Sequence, residues 1–289
     1  VYAPSRFIAE WAAQWWRLNE TPSVVAYPHA PMLPKATPIP DGSSRLVVYA
    51  GRLEPRKGVV TLAHAWSTVA ERHPDAMLLL AGADTTHAST GGSVQRRMAS
   101  AMSEGAARRA IFAGPVPPAE LRTLIDRAVV CVVPSLWENF PNVAIEAMGR
   151  ARPIIASDRG GMAEMLGASR GGATFPTGDA GALAAALGAM LDESVDSLRA
   201  RGAAARESIE RFCDPIETTR QRIGVYRSAI ARAARRDEYA RAQWVTLGEA
   251  ALRTTAGEGP PIDARPLPGF GAGIRRWITE PRRPAMSAT

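Results

Sequence analysis

Four charged residues in two separate segments have side chains suited to binding phosphate and hydroxyl groups. Glu138 lies in a loop bounded by prolines, and Glu146 follows it in a predicted helix. An ionised carboxylate only accepts hydrogen bonds, and its two oxygens suit vicinal hydroxyls such as those of a ribose. Arg52 and Lys57 follow an earlier apolar run. A guanidinium offers a planar fork to phosphate oxygens, and an ammonium offers a movable point charge. The four side chains together fit a nucleotide sugar, which carries hydroxyls at both ends and phosphate between them.

A glutamate pair alone is weak evidence for a site, because a solvated loop and an exposed helix face produce the same pattern more often. The two cations strengthen the ligand hypothesis, since together with a helix dipole they could neutralise a diphosphate leaving group. The sequence contains no Asp-x-Asp and no His/Asp cluster with ligand spacing. We therefore predict a site that uses no metal ion and no cofactor beyond the donor substrate.

Each charged segment lies between a predicted strand and a predicted helix. The two cations follow an apolar run at 46–50, and the proline-bounded loop follows another at 129–133. A strand that leads into a helix N-terminus directs unpaired backbone N–H groups at an anion above the sheet. We expect Asn142 to cap the second helix, and Glu146 in the second helical turn to face the same crevice.

Strand and helix patterns alternate along most of the chain. This α/β pattern predicts a Rossmann-like parallel sheet with helices on both faces, and ligands beyond the carboxyl ends of its strands. The predicted strands span 46–50, 76–81, 110–113, 129–133, 153–156 and 173–175, and the predicted helices span 5–18, 59–73, 93–109, 118–127, 142–150, 161–166, 179–191, 194–211 and 221–235. Both charged loops fall at carboxyl ends of strands.

The chain contains three short motifs, which are Gly51-Arg52…Lys57-Gly58, Pro134-Ser135…Glu138…Glu146-Ala147-Met148 and Ser157-Asp158-Arg159-Gly160-Gly161…Glu164. They resemble, in the same order, the motifs of the retaining glycosyltransferases of family 4, which have the GT-B fold. The resemblance covers about residues 44–230 and implies that the chain contains the C-terminal, donor-binding domain. By this resemblance the catalytic residues are Glu138, which holds hydroxyls of the transferred sugar, and Arg52 and Lys57, which bind the donor diphosphate. Glu146 would hold the ribose.

The resemblance implies further donor contacts near the strand ends. Backbone amides of the 139–142 loop would hold phosphate or sugar, and the turn at 112–116 would lie near the nucleotide base. The donor-binding residues implied besides Glu146 are Asn139, Phe140, Pro141, Asn142, Gly51, Gly114 and Val116. The family needs no metal.

Two positions depart from the family's pattern. Asn139 stands where the family often has glycine, and asparagine tolerates unusual backbone conformations, so we expect the loop to be kept. The family's Gly-x-Pro is replaced by Gly149-Arg150-Ala151-Arg152-Pro153, which we interpret as a minor shift.

The domain boundaries follow from composition and from the resemblance. We assign 1–20 to the end of an N-terminal acceptor domain that is otherwise missing, 21–44 to a proline-rich linker, 45–231 to the donor-binding domain and 232–289 to a basic, loosely ordered tail containing proline and glycine. Because the missing half would supply the acceptor pocket, we expect the chain alone to be inactive in transfer. The stripe of Phe7, Trp11, Trp15 and Leu18 on the first helix is then expected to be partly exposed.

Composition and charge narrow the class of protein. With 46% hydrophobic and 22% charged residues, the chain is expected to be soluble and globular. The two isolated cysteines, Cys131 and Cys213, favour a reducing compartment, and we predict a cytoplasmic location. Residues 232–289 contain ten basic and six acidic residues, sparse enough to favour a solvated tail over a nucleic-acid partner. Peripheral contact with the inner face of the membrane is the alternative we favour for this tail, because acceptors in the family are often lipid-linked or envelope polymers.

These observations lead to one functional hypothesis and two rivals. The hypothesis is transfer of a sugar from UDP-, GDP- or another nucleoside-diphosphate sugar to a glycan or lipid-linked acceptor, with retention of configuration. It would serve polysaccharide, glycolipid or cell-envelope glycoconjugate synthesis. One rival is a non-catalytic module that binds nucleotide sugars. The other is a different GT-B enzyme such as a sugar-nucleotide epimerase. A phosphorylase would need a pyridoxal lysine site, for which the sequence shows no candidate.

Overall fold

The computed structural model describes residues 2–26, 36–39, 45–86, 91–167 and 170–234. The strands are β1 (Tyr2–Ala3), β2 (Ser23–Val24), β3 (Arg45–Ala50), β4 (Ala76–Ala81), β5 (Ala110–Gly114), β6 (Val130–Val133), β7 (Ile154–Ser157) and β8 (Gly172–Phe175). The helices are α1 (Arg6–Trp15), α2 (Val59–Arg72), α3 (Val94–Ala101), α4 (Glu104–Ala107), α5 (Pro118–Arg127), α6 (Asn142–Gly149), α7 (Met162–Leu166), α8 (Ala180–Leu191), α9 (Val195–Phe212) and α10 (Pro215–Ala234). A short 3₁₀ turn, Pro55–Lys57, lies between β3 and α2.

Six of these strands form one parallel sheet in the order β5-β4-β3-β6-β7-β8. The chain runs outward from β3 to β4 and β5, and then returns to the other side of β3 to form β6. The direction of winding therefore reverses between β3 and β6, which pair directly through Val47 with Val130 and Val48 with Cys131. In open α/β sheets, ligands bind beyond the carboxyl ends of the strands at such a switch point.

Alternate residues of the central strands pack on opposite faces of the sheet. On one face, Val47 and Tyr49 of β3 share a core with Trp66 of α2. On the other face, Val48 shares a core with Ile145 of α6. Helices therefore cover both faces of a parallel sheet, which confirms the fold class predicted from the sequence.

The observed helices differ from the predicted ones most at two places in this part of the chain. The segment predicted as one helix, 93–109, forms the two helices α3 and α4, because Ser103 accepts a hydrogen bond from the Ala106 amide and so caps a new helix. The last helix begins at Pro215 rather than at 221. Asp214 accepts hydrogen bonds of 2.8 Å from the amides of Ile216 and Glu217, and proline suits the first helical position.

The N-terminal segment forms a small unit beside the main sheet. Strands β1 and β2 pair in parallel and are joined by α1, which ends at Trp15 rather than at Leu18. The Glu164 carboxylate accepts hydrogen bonds of 2.7 Å from the amides of Arg6 and Phe7, and so ties the start of α1 to α7. Trp11 is 38% exposed and Trp15 is 68% exposed, which confirms the expected partial exposure of the stripe.

Parts of the predicted linker and most of the predicted tail lie outside the described residues. These omit 27–35 and 40–44 of the predicted linker, and the tail from 235 onward. The boundaries stay predictions. Among the residues that the structure describes, no helix has both the length and the apolar character needed to span a bilayer.

Candidate functional site

The loop between β3 and α2, residues 51–58, approaches the loop after β6 closely. Gly58 ends the 3₁₀ turn with a φ of +67°, in the left-handed region. A Cβ atom added there would lie 1.8 Å from the carbonyl oxygen of Pro134, so only glycine permits this approach. The backbone carbonyl of Arg56 also accepts a hydrogen bond of 2.9 Å from the Leu136 amide. The two charged loops are therefore held side by side above the switch point.

The loop after β6, residues 134–141, rests on the turn that contains the third sequence motif. Gly160 has a φ of +83°, and a Cβ atom there would lie 1.8 Å from the carbonyl oxygen of Glu138. That same oxygen accepts a hydrogen bond of 3.2 Å from the Gly161 amide. The Gly-Gly pair thus supports the backbone that carries the candidate sugar-binding carboxylate.

The Glu138 carboxylate contacts donors from both loops. Lys57 Nζ forms an ion pair with Oε1 of Glu138. Ser135 Oγ donates to the same oxygen over 3.1 Å, and Arg56 Nη1 lies 3.7 Å from it. Oε2 of Glu138 has no hydrogen-bond or ion-pair partner in the described part of the chain. One carboxylate oxygen is therefore held by the protein, and the other is left to accept hydrogen bonds from a ligand.

The two arginines of the first loop share a carboxylate that the sequence reasoning did not single out. Glu54 Oε1 lies 2.8 Å from Arg56 Nη2, and Glu54 Oε2 lies 3.3 Å from Arg52 Nη2. Arg56 also donates to the carbonyl oxygen of Trp137 over 3.1 Å and so bridges the two loops. Of the three cations in this loop, Arg52 and Lys57 were expected to be the best placed to reach one anion, and the bridging position of Arg56 was not predicted.

A buried tyrosine supports the loop from below. The Tyr49 hydroxyl donates to the carbonyl oxygen of Arg52 over 2.7 Å. Burial raises the pKa of Tyr49, and the nearby negative charges of Glu54 and Glu138 raise it further. The phenol therefore stays protonated and keeps its donor. The sequence shows Tyr49 only as an ordinary strand residue, so this support could not be predicted from the pattern.

Helix α6 begins directly after the second loop, but its cap differs from the prediction. Asn142 is the first helical residue and is exposed, and the capping position belongs to Pro141, which has no side-chain acceptor to offer. The expectation that Asn142 caps the helix was therefore wrong. The amides of Asn142 and Val143 belong to the first turn of a helix, where backbone donors have no carbonyl of a preceding turn to bond. They remain candidates for an anion.

Glu146 lies in the second turn of α6 and is half-buried. It shares a helix face with Asn142, four residues earlier. In the regions that the structure describes, its carboxylate has neither a hydrogen bond nor an ion pair. The structure thus places Glu146 in the helix that follows the loop of Glu138, with its acceptors unoccupied.

The other predicted donor residues lie along the same edge of the sheet. Phe140 is buried with its ring stacked on that of Phe212, at 5.4 Å between centroids, so its side chain belongs to the core. Gly51 follows β3, and its amide donates to the carbonyl of Ala81 over 2.9 Å. Gly114 ends β5, two strands from the switch point, and its carbonyl accepts a hydrogen bond from Gly82 over 2.8 Å.

Asn139, Pro141 and Val116 complete the predicted set. Pro141 is buried, and Asn139 and Val116 are half-buried. The Oδ1 atom of Asn139 is buried without a hydrogen-bond partner. The structure therefore brings Lys57, Glu138 and the cations of the first loop together, whereas Gly114 and Val116 lie farther along the edge. The described residues contain no cluster of three or more His, Cys, Asp or Glu side chains that could hold a metal ion.

Comparison with known families assigns the chain to one family. The family model described as glycosyl transferases group 1 matches residues 44–193, which is more than half of the chain. The chain belongs to the group 1 glycosyl transferases. The matched segment runs from just before β3 to just after α8, so it contains both charged loops of this group 1 glycosyl transferase.

The chain is also similar to individual relatives in sequence and to solved structures in fold. It is 30% identical over 190 residues to the D-inositol 3-phosphate glycosyltransferase of Acidothermus cellulolyticus, covering 64% of this chain and 41% of that protein. Sucrose-phosphate synthase from Thermosynechococcus elongatus matches with a TM-score of 0.66 at 28% identity, over 80% of this chain and 58% of that one. Anabaena HepE, in complex with UDP, matches with a TM-score of 0.63 at 19% identity, and the match covers 79% of this chain and 63% of that one. The chain has the Rossmann-like fold of GT-B glycosyltransferases, and it spans less than half the length of the curated relatives it matches.

Proposed function

We propose that the protein is a retaining glycosyltransferase of family 4 and that this chain contains its donor-binding half. The observation that carries the proposal is the contact between Lys57 and Glu138 across the switch point. This contact brings an ammonium and a carboxylate side by side, although 81 residues separate them in the sequence. We assign the ammonium to phosphate and the carboxylate to sugar hydroxyls. A nucleoside-diphosphate sugar has a phosphate next to the sugar that is transferred, and this pair matches that junction.

The proposed roles follow from charge and position. Arg52, Lys57 and the first amides of α6 stabilise the negative charge that develops on the leaving diphosphate. Glu138 accepts sugar hydroxyls through Oε2, while Oε1 stays with Lys57 and Ser135. The acceptor oxygen bonds to the sugar carbon on the face that the diphosphate leaves. The bonding electron pair departs with the diphosphate, and a diphosphate oxygen takes the proton of the acceptor hydroxyl. Glu146 accepts hydrogen bonds from the ribose hydroxyls.

Metal independence is part of the proposal. Many phosphate-binding sites neutralise a diphosphate with a divalent cation. Here the first loop contains the three cations Arg52, Arg56 and Lys57, and the N-terminus of α6 adds the positive end of a helix dipole. These groups supply the positive charge that a metal ion would otherwise bring.

The substrate classes are inferred from chemistry and from related proteins. HepE, which shares the fold, was determined in complex with UDP. We propose UDP-, GDP- or a similar nucleotide sugar as the donor and a glycan or lipid-linked molecule as the acceptor. The described cysteines, Cys131 and Cys213, are free and buried, which suits a reducing compartment. We infer a cytoplasmic enzyme that meets its acceptor at the inner face of the membrane in polysaccharide or envelope synthesis.

Calorimetric titration of the chain with UDP and GDP in the presence of EDTA tests the proposal. We expect binding of at least one nucleotide without magnesium. Glu146→Ala should weaken that binding about tenfold, because a charged acceptor of the ribose is lost. Glu138→Ala should lower nucleotide affinity only modestly and abolish transfer in the full-length enzyme. Glu104→Ala, which removes an exposed carboxylate from α4, is the matched control and should change nothing.

Three outcomes would contradict the proposal. The first is failure to bind either nucleotide, and the second is strict dependence of binding on a divalent ion. The third is an equal, small effect of both site variants. Release of free sugar from a nucleotide sugar without an acceptor would instead favour the epimerase alternative.

A further inference from the structure

The first loop contains an acidic side chain that the proposed mechanism does not use. Glu54 stands at the cap position of the 3₁₀ turn, but its carboxylate makes no capping hydrogen bond. Its two oxygens point instead at the guanidinium groups of Arg52 and Arg56, at 3.3 Å and 2.8 Å. The side chain of Glu54 is only 17% exposed. The carboxylate of Glu54 therefore pairs with two arginines of the charged loop instead of capping the turn, and the proposed mechanism gives it no role.

The charges of the site alternate in sign along a continuous series. Arg52 contacts Glu54, Glu54 contacts Arg56, Arg56 lies near Glu138, and Glu138 pairs with Lys57. The two carboxylates are thus shared among the three cations of the loop. A diphosphate competes for the same guanidinium forks, because carboxylate and phosphate oxygens accept the same pairs of N–H donors. One of the acids must therefore give way when a diphosphate binds.

Glu54 and Glu138 differ in how firmly they are held. Glu138 pairs with Lys57, which is 21% exposed, and also accepts a hydrogen bond from the buried Ser135. The partners of Glu54 are 63% exposed for Arg52 and 45% exposed for Arg56. Ion pairs with exposed partners contribute little to stability and exchange readily. Glu54 is therefore the acid that a ligand can replace.

The backbone around Glu54 is fixed, so the carboxylate stays near the arginines. The Glu54 amide donates to the carbonyl of Arg52 over 3.0 Å, and the Glu54 carbonyl accepts from the Lys57 amide over 2.9 Å. We propose that Glu54 is a positioning residue that acts as an internal counter-ion. It holds Arg52 and Arg56 at the site until the diphosphate of the donor replaces it. This inference rests on the proposed function and assigns Glu54 a role in setting donor affinity.

The test compares Glu54→Gln with the unmodified chain by calorimetry with UDP and GDP in EDTA. Glutamine keeps the shape and one acceptor oxygen but removes the charge. We expect nucleoside diphosphate to bind about three- to tenfold more tightly, because a like charge near the ligand is removed. The gain should shrink as salt rises. Uridine and guanosine, which carry no phosphate, should bind the variant and the unmodified chain equally.

Two variants serve as controls. Glu104→Gln removes the same charge from α4, which precedes β5 and so lies at the opposite edge of the sheet, and should leave affinity unchanged. Glu54→Asp keeps the negative charge, so its nucleotide affinity should not rise above that of the unmodified chain. The melting temperature of Glu54→Gln should match that of the unmodified chain, because both arginines in the ion pairs it loses are exposed.

The outcomes separate this inference from the proposed function. If the unmodified chain binds neither nucleotide, the proposed function fails. If it binds, but Glu54→Gln binds equally or more weakly, or gains equally toward the uncharged nucleosides, the counter-ion role is wrong and the proposed function stands. Unfolding of Glu54→Gln would also contradict the role, because it would show that Glu54 is structural.

Discussion

Two arginines at the carboxyl edge of the sheet and one at its amino edge are satisfied in opposite ways. At the carboxyl edge, Arg52 and Arg56 are exposed and pair with the side chain of Glu54. At the amino edge, just before β7, Arg152 is fully buried, and its acceptors among the described residues are all main-chain carbonyls. These acceptors are the carbonyl oxygens of Ile125 at 3.0 Å, Thr37 at 2.6 Å, Arg150 at 2.9 Å, Ala151 at 3.2 Å and Asp126.

Under the proposed function, this difference distinguishes a charge that serves the fold from charges that serve ligand binding. Four of these carbonyls lie in the last turn of α5 or directly after α6, where helix dipoles are negative, and the fifth belongs to Thr37. Burial lowers the pKa of Arg152, although guanidinium remains protonated. No ligand can displace such partners. At the carboxyl edge the partners are side chains that can move, so a phosphate can take their place.

Arg152→Met should produce the largest loss of stability. It leaves several buried carbonyls without a donor, and we expect the free energy of unfolding to fall by about 3 kcal/mol. Chemical denaturation followed by circular dichroism measures the change. The control is Arg211→Met, an exposed arginine on α9, which should change stability by no more than about 0.5 kcal/mol. A loss at Arg152 as small as that of the control would remove the structural role.

Lys57→Met should show the opposite pattern, with the larger effect on binding. A charge-assisted contact to phosphate is lost, so nucleoside diphosphate should bind about 30-fold more weakly, or about 2 kcal/mol. Calorimetry with UDP and GDP measures this loss. Arg72→Met, in the last turn of α2 and far from both charged loops, is the matched control and should bind normally. If Lys57→Met loses stability but keeps full nucleotide affinity, then Lys57 serves the fold alone.

An ion pair outside both regions tests how the stability that an ion pair contributes depends on pH. Arg201 Nε donates to Glu193 over 2.7 Å, and this hydrogen bond lowers the pKa of Glu193. A carboxylate with a lowered folded-state pKa stabilises the fold above its unfolded-state pKa, near 4.3, and this stability is lost as the pH falls through the folded-state pKa. The melting temperature of the unmodified chain should therefore exceed that of Glu193→Gln at pH 6, and the gap should close below about pH 4. A gap independent of pH would contradict the assignment.

The sheet could be predicted from the sequence because buried parallel strands are continuous apolar runs that alternate with helical patterns. The convergence of Lys57 and Glu138 also followed, since the carboxyl ends of parallel strands meet at one edge. The pairing of Glu54 with two arginines depends on the conformation of a short turn, which no periodic pattern encodes. Arg152 could not be recognised either. An arginine in a Gly-Arg-Ala-Arg-Pro turn is usually exposed, and its burial becomes visible only when two helix ends meet around it.

NMR chemical-shift mapping of the backbone amides in the isotope-labelled chain tests most directly whether the nucleotide binds between β3 and β6. Addition of UDP or GDP without magnesium should shift the resonances of residues 51–58 and 139–146, at the carboxyl edge between β3 and β6. The resonances around Arg152, at the amino edge, should stay in place. Shifts that fall at the amino edge or along α10, with the two charged loops unaffected, would contradict the donor site proposed for this chain.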